Sequence, residues 1–147
     1  MTANVLNYFN QPSSDSQDNK LVLGGSVETN GGQSLKKVYL TTSITDISTA
    51  GQIYVVSPVA GTITKIYSVI NGAIATANSI LTPKINNIAI TNGSITVAFS
   101  GSAAGDVDSS TPTAANAITA GAAIEIETDG GSANTVEVVL TIEITLS

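Results

Sequence analysis

Apolar and polar residues alternate over residues 135–146, near the C-terminal end of the chain. Because successive side chains of a strand point to opposite faces, this period of two predicts a β-strand with one buried and one solvated face. The inward set is Val136, Val138, Leu140, Ile142 and Ile144, and the outward set is Glu137, Thr141, Glu143 and Thr145. Such a strand is typical of an antiparallel sheet.

Short segments of similar character follow one another from Lys37 onward. They are rich in β-branched residues and are separated by glycine and asparagine every eight to twelve residues, a spacing typical of a β-sandwich or jelly roll. The other predicted strands are residues 38–42, 52–57, 62–71, 84–91, 94–100 and 122–128. Helical periodicity is nearly absent. The sequence therefore predicts an all-β fold, an antiparallel β-sandwich with jelly-roll-like strand order.

Turn chemistry predicts two hairpins. Residues 122–128 are expected to pair with residues 135–146, because the loop between them supplies two glycines. Residues 88–97 carry Asn92-Gly93 at their centre, and a type I′ turn needs positive φ at both central positions. This second turn is the strongest local prediction.

Two segments resist the pattern of short strands. Residues 72–82 are compatible with a loop or a broken strand. Residues 100–121 form a long stretch of alanine, serine, threonine and glycine, and unstructured loops of that length are uncommon in compact domains. Pro112 suits the first position of a helical turn. An ordered surface loop and an interface loop both remain open for this stretch.

Residues 1–36 differ from the rest of the chain. An apolar cluster precedes the polar residues 11–20, which are too poor in apolar groups to offset the entropy of their own ordering. A second apolar run ends at residues 30–32 and predicts a short strand or hairpin. We therefore expect an extended N-terminal arm over residues 1–36 and a sandwich domain over residues 37–147.

The apolar groups of the arm are the candidate contact residues of the protein. An apolar cluster ahead of a polar tether suits an anchor that docks on another subunit, and the alternative is a frayed terminus. The candidates for an interface with another subunit are Val5, Leu6, Tyr8, Phe9, Leu21, Val22, Leu23 and Val27.

Composition narrows the function classes. Threonine, isoleucine and valine make up one third of the 147 residues, whereas histidine, cysteine, arginine and tryptophan do not occur. Proton transfer near neutral pH relies most on histidine, and thiolates are the most accessible nucleophiles, so an enzyme is not expected. The net charge of −6 disfavours direct nucleic acid binding. Without a basic leader or an apolar stretch of about 18 residues, no membrane association is expected.

Three acidic or polar motifs have an alternative chemical interpretation. Asp106 and Asp108 have the alternation with which calcium loops begin, but the glycine and glutamate that should follow are missing, so a polar turn is expected. Glu125 and Glu127, with Glu137 and Glu143 on a paired strand, suggest a carboxylate pair, but a solvated sheet face is expected. Asn92 begins a glycosylation sequon within the predicted turn. No catalytic, cofactor or metal site is predicted.

Two resemblances rest on short motifs. The start of the chain resembles tailed-phage head-fibre proteins, through Asn-Tyr-Phe-Asn-Gln at residues 7–11, Leu-Val-Leu-Gly-Gly-Ser-Val-Glu at residues 21–28 and the glycines at residues 31–32. The remainder resembles small phage head-decoration, or cement, proteins through residues 45–51, 57–67, 101–108 and 111–121. This resemblance implies a β-rich protein that binds the outer capsid, often as a trimer at three-fold positions, and stabilises the expanded shell.

The resemblance sets the functional expectation. A structural virion protein on the outer capsid surface is expected, with the major capsid protein as partner, a homotrimeric assembly and no cofactor. The alternative is a carbohydrate-binding or host-adhesive module. Sugar sites usually stack aromatic rings on the sugar, and this chain has no tryptophan and only 4% aromatic residues.

Overall fold

The computed structural model describes residues 36–147 and the backbone of two short strands before them. These are β1 (Glu28–Thr29) and β2 (Gln33–Ser34), which pair antiparallel. The ten strands that follow are β3 (Lys37–Ile44), β4 (Gly51–Val56), β5 (Gly61–Ile70), β6 (Ser79–Ile85), β7 (Ile88–Ala89), β8 (Ile95–Val97), β9 (Val107–Ser110), β10 (Ala117–Ile118), β11 (Ala123–Thr128) and β12 (Val138–Leu146).

These ten strands form two antiparallel sheets of five strands each. In sheet A the order is β10-β5-β12-β3, and β9 pairs with β5 on the same side as β10. In sheet B the order is β4-β11-β6-β7, and β8 pairs with β6 on the same side as β7. If each pair of short edge strands counts as one position, the eight positions have the jelly-roll order 1-8-3-6 and 2-7-4-5. The predicted fold class is confirmed.

Among residues 36–147, the apolar core between the two sheets consists of aliphatic side chains, and a few buried polar side chains, among them Ser68, Ser79 and Thr128, also point inward. Its buried apolar residues are Ile44, Ile47, Ile63, Ile66, Ile70, Ile74, Leu81, Ile85, Ile90, Ile95, Val97, Ile118, Ile124, Ile126, Val136, Val138, Leu140, Ile142 and Ile144. The inward set predicted from the alternation in residues 135–146 is buried throughout. β-Branched side chains suit a pleated surface, and their limited rotamer freedom fits them to a closely packed interior.

The first hairpin prediction was wrong. β11 pairs with β4 and β6 in sheet B, whereas β12 pairs with β3 and β5 in sheet A. The residues between these strands cross from one sheet to the other instead of reversing the chain within a sheet. Their glycines serve this crossing: Gly130 has a φ of 71°, and a Cβ on Gly131 would overlap the carbonyl oxygen of Asn78.

The second hairpin prediction was wrong as well. β7 and β8 do not pair with each other, because both pair with β6. Of the predicted turn pair only Asn92 has a positive φ, 56°, and the Gly93 N–H donates to the Ile90 carbonyl at 3.0 Å. The two consecutive positive φ angles lie at Asn86 (52°) and Asn87 (63°), which connect β6 to β7.

The structure defines the secondary structure of both segments that did not fit the pattern of short strands. Within residues 72–82 the strand β6 begins at Ser79, and a loop precedes it. Residues 100–121 contain β9 and β10, which extend sheet A beyond β5. The helical turn expected at Pro112 is not formed, since no helix occurs among residues 36–147. Consequently, that part of the chain offers no helix of bilayer-spanning length and apolarity.

Substitution of Gly61 by alanine should destabilise the sandwich, because a Cβ there would overlap the Thr145 carbonyl oxygen and lie 2.8 Å from Ile144 Cγ2. Overpacking of this kind costs about 1–3 kcal/mol in the free energy of unfolding, measured by urea denaturation. The matched control is Gly51→Ala, also at the first residue of a strand, where the nearest atom is 3.9 Å away. Equal effects of the two substitutions would contradict the close approach of β5 and β12.

Candidate protein-binding faces of the sandwich

The predicted interface residues of the arm lie outside the described part of the chain. They are Val5, Leu6, Tyr8, Phe9, Leu21, Val22, Leu23 and Val27. Their role and the division into arm and sandwich domain at residue 36 stay predictions. The candidate contact surfaces that the structure does describe are the outer faces of the two sheets.

Every aromatic side chain within residues 36–147 is exposed. The exposed fractions are 57% for Tyr39, 60% for Tyr54, 38% for Tyr67 and 45% for Phe99. All four lie in strands predicted from the sequence, where a side chain can face either the core or the solvent, and in the structure all of them lie on the surface. Aromatic rings carry a large apolar area, and tyrosine adds a polar group that favours partly wet contacts. Their placement therefore leaves apolar area available for a partner.

The outer face of sheet A carries two of these tyrosines. We call this surface the tyrosine face and define it by Tyr39, Thr41, Tyr67, Val107 and Thr141. In the strand register, Thr141 on the central strand β12 lies between Thr41 on β3 and Tyr67 on β5. Val107 extends the face at its edge and is 64% exposed. These five side chains are uncharged.

A nearly buried carboxylate anchors the tyrosine face. Glu143 is only 8% exposed although it points to the outer side of β12. Its Oε1 accepts hydrogen bonds from Lys37 Nζ at 2.9 Å and from Thr64 Oγ1 at 2.7 Å. Its Oε2 accepts a hydrogen bond from the Tyr39 hydroxyl at 3.1 Å. One carboxylate thus links three strands of sheet A.

A β-bulge in β5 supplies part of this arrangement. Glu143 pairs with Lys65 and Ile144 with Ile63, so Thr64 is an additional residue in β5. The bulge lets Thr64 and Lys65 contact groups on the same outer face. Thr64 donates to Glu143, whereas Lys65 Nζ lies 5.6 Å from the centroid of the Tyr67 ring. Both tyrosines of the face are therefore positioned by contacts of their own.

The protonation states within this cluster favour its hydrogen bonds. The hydrogen bond from Lys37 is the main reason that the pKa of Glu143 lies below its ordinary value, and donation by Thr64 and Tyr39 acts in the same direction. The same carboxylate raises the pKa of Lys37 and that of Tyr39. At neutral pH the cluster consists of a carboxylate, an ammonium and a neutral phenol.

The outer face of sheet B has its own ion pairs. Lys84 Nζ lies 2.6 Å from Glu127 Oε2 and 3.9 Å from Glu125 Oε1. The hydrogen bond to Glu127 is the main cause of a raised pKa of Lys84. Tyr54 and Val56 lie beside these charges on the neighbouring strand β4 and are 60% and 59% exposed.

The strand topology excludes the carboxylate pair that the sequence suggested between β11 and β12. Glu125 and Glu127 lie on the outer face of sheet B, and Glu143 lies on the outer face of sheet A, so the core separates them. Glu137 accepts a hydrogen bond from Asn71 Nδ2 at 2.6 Å. The prediction that these four acids share a face was wrong, because it depended on the hairpin between β11 and β12.

The other two polar motifs take part in turns. Asp106 Oδ2 accepts a hydrogen bond from the Ala103 N–H at 2.7 Å, which stabilises the turn before β9. Asn92 Nδ2 donates to Thr113 Oγ1 at 2.9 Å. Among the residues that the structure describes, no three acidic side chains come together as metal ligands would. Both motifs have a structural explanation.

No protein-family model and no curated protein matches the chain. Among solved structures, a chain of the cyanophage Pam1 capsid asymmetric unit is 17% identical, with a TM-score of 0.48, over 93% of this chain and 100% of that chain. A chain from Bacillus endospore appendages, a family of disulfide-linked pili, is 16% identical, with a TM-score of 0.31, over 76% of this chain and 88% of that chain.

Acidification should weaken the sandwich as Glu143 becomes protonated. The pKa of Glu143 in the folded state lies below the value of about 4.3 expected in the unfolded chain, so the unfolded state binds more protons in this window. Stability is therefore lost as the pH falls from about 5 through the folded pKa. Glu143→Gln should lower the free energy of unfolding at pH 7 by about 1–3 kcal/mol.

Urea denaturation at pH 7, 5 and 3 would test this expectation. The difference between wild type and Glu143→Gln should shrink as the pH falls, because the wild-type carboxylate is progressively neutralised. Glu137→Gln is the matched control, since Glu137 contacts the neutral amide of Asn71 instead of a lysine. A wild-type advantage that stayed constant across this pH range would contradict the role of the ionised carboxylate.

Proposed function

We propose that this protein is a non-enzymatic structural component of a phage virion, where it binds and stabilises the outer surface of the capsid. The observation that carries the proposal is the division of its apolar residues. The apolar residues of the described core are isoleucine, leucine and valine, and the four described aromatic side chains lie on the surface. Protein–protein interfaces are enriched in tyrosine and depleted of charge at their centre, as the tyrosine face is.

The segments that resemble head-decoration proteins support the proposal through their positions in the fold. Residues 45–51 connect β3 to β4, and there Asp46 Oδ1 accepts hydrogen bonds from the Ser48 N–H at 2.8 Å and the Ser48 hydroxyl at 2.6 Å. Residues 57–67 include the turn before β5, where the Ser57 hydroxyl donates to the Val59 carbonyl at 2.7 Å. The resemblance thus includes residues that build the turns of this sandwich.

The major capsid protein is the proposed partner, and a homotrimer is the proposed assembly. A decoration protein is present in many copies, so modest contacts from each copy can add up to firm attachment and a more stable shell. The apolar residues of the arm would supply one contact and the tyrosine face another. Because the contacts are non-covalent and lie on the exterior, the protein needs neither a cofactor nor nucleic acid.

Cosedimentation with expanded phage capsids tests the proposal. The full-length protein should sediment with the shells at a fixed copy number and raise their resistance to heat. The variant Tyr8→Ser/Phe9→Ser, which changes the apolar cluster of the arm, should bind at least tenfold more weakly. Deletion of residues 1–34 should abolish attachment while the circular dichroism of the sandwich is retained.

The matched control distinguishes the two proposed contacts. Tyr67→Ser removes one exposed ring from the tyrosine face, so it should weaken attachment if that face contacts the capsid and leave it unchanged if the arm acts alone. Normal decoration by the truncated protein would contradict docking through the arm. Failure of the wild type to bind shells, together with binding on a glycan array, would favour the carbohydrate-binding alternative.

A further inference from the structure

No described strand pairs with the outer edge of β4, and this edge lacks the features that usually protect an edge strand. The edges of the sandwich that are formed by short strands, β7 to β10, have at most four residues per strand. The long edge strand β3 begins with a lysine that is paired to Glu143. In contrast, β4 has the sequence Gly-Gln-Ile-Tyr-Val-Val, without charge or proline, and pairs with β11 in an uninterrupted register. Natural proteins usually blunt such an edge by charge, proline or a bulge.

The side chains of β4 are also incompletely covered. Tyr54 and Val56 on its outer side are 60% and 59% exposed. Ile53 and Val55 on its inner side pack against the core but are only partly buried. An added strand would therefore cover apolar area on both faces of the sheet.

The alternation of hydrogen bonds identifies the free backbone groups. The Ser57 N–H donates to the Ala122 carbonyl at 2.9 Å, so the backbone of Ser57 faces β11. In an antiparallel ladder alternate residues bond to the same neighbour, which makes Val55 and Ile53 face β11 as well. The N–H and C=O groups of Gln52, Tyr54 and Val56 consequently point to the open edge.

We propose that β4 pairs antiparallel with β4 of a second copy of this chain, with Tyr54 opposite Tyr54 on a two-fold axis normal to the sheet. Such an axis keeps each side chain on its own face of the sheet. An outer-face residue of one copy must therefore lie opposite an outer-face residue of the other copy, which means that even-numbered residues face even-numbered residues. In this register Gln52 of one copy faces Val56 of the other, and each free backbone group gains a partner. Ile53 faces Val55 on the core side. The two copies of sheet B become one continuous sheet.

Electrostatics permit two copies of an acidic chain to meet at this edge. β4 itself is uncharged, and Lys84 neutralises part of the charge of Glu125 and Glu127 on the adjacent strand. In the paired sheet, β11 of one copy lies three strand spacings, about 14 Å, from β11 of the other. That separation exceeds the Debye length of about 8 Å at physiological ionic strength. Repulsion between the glutamates is therefore largely screened.

A second copy is favoured over an unrelated strand because β4 complements itself. Two tyrosines meet at the centre, and aromatic pairs directly across an antiparallel ladder stabilise it. The flanking pairs join an amide to a valine and an isoleucine to a valine, and no like charges meet. This two-fold contact is independent of the virion role, since it requires neither a capsid nor the arm.

Sedimentation equilibrium of the full-length protein and its variants tests the proposal. Tyr54→Lys places two lysines opposite each other and should weaken self-association at least tenfold. Ile88→Lys is the matched control, because Ile88 is similarly exposed, at 62%, on β7 at the opposite edge of sheet B; it should leave the β4 contact intact. An equimolar mixture of Tyr54→Lys and Tyr54→Glu should restore association, since opposite charges then face each other.

Cysteine substitution tests the register, because the chain has no cysteine of its own. Tyr54→Cys should form a disulfide-linked dimer under mild oxidation, since directly opposed residues of a hydrogen-bonded pair have Cα atoms about 5.5 Å apart. Gln52→Cys should not, because residue 52 faces residue 56 of the other copy. The proposal is overturned if the wild type is monomeric, if its association is unaffected by Tyr54→Lys, or if Gln52→Cys cross-links as readily as Tyr54→Cys.

Discussion

The fold depends on the burial of two successive strands, β11 and β12, at the centres of opposite sheets. Each has a neighbour on both sides, and their inward isoleucines are fully buried in the same aliphatic core. Packed sheets lie about 10 Å apart, so the residues between these strands must cross the sandwich. Asp129 holds the start of this crossing, because its Oδ1 accepts hydrogen bonds from the N–H groups of Ile80 at 2.9 Å and Gly131 at 3.0 Å.

Because aliphatic side chains fill the apolar core, the aromatic side chains of residues 36–147 lie on the surface. Isoleucine, leucine and valine fill the space between the sheets, so the aromatic rings of residues 36–147 are not needed there. The side chains of the tyrosine face are instead held by polar contacts, above all by the hydrogen bond that the Tyr39 hydroxyl donates to Glu143. A ring that is already held loses less conformational entropy when a partner binds. The same carboxylate that joins three strands thus also holds an exposed tyrosine ring in place.

The strands could be predicted from sequence wherever the period of two was clear, as in β12, and the sandwich class followed from them. Pairing could not be predicted, because glycine-rich connections serve hairpins and sheet crossings equally well. β6 (Ser79–Ile85) was predicted only in part, because it spans the end of the segment left open as a loop or a broken strand and the start of the predicted strand 84–91; a proline such as Pro83 is also unusual inside a central strand. In the structure Pro83 lies between the segments of β6 that pair with β8 and β7, where the missing N–H is not required by either.

The candidate site could likewise be predicted only in part, because its contacts depend on strand pairing. The alternation correctly placed Glu143 on the outer side of its strand, but its donors Lys37 and Thr64 are 106 and 79 residues away in the chain. Only the register between β3, β12 and β5 brings them together. A pattern along one strand indicates which side a residue faces, whereas its partner depends on long-range pairing that periodicity does not encode.

The acidic side chains of the described residues lie mostly in turns or beside lysines, which leaves parts of the sheet surface uncharged. Asp46, Asp106 and Asp129 each accept backbone hydrogen bonds in turns, and Glu125, Glu127 and Glu143 each lie beside a lysine. Much of the negative charge is thus used at the ends of the sandwich or is paired within a sheet. The tyrosine face, by contrast, consists of threonine, valine and tyrosine, and β4 carries no charge. The acidic charge of the described turns is therefore separated along the molecule from the uncharged residues of the tyrosine face and of the β4 edge.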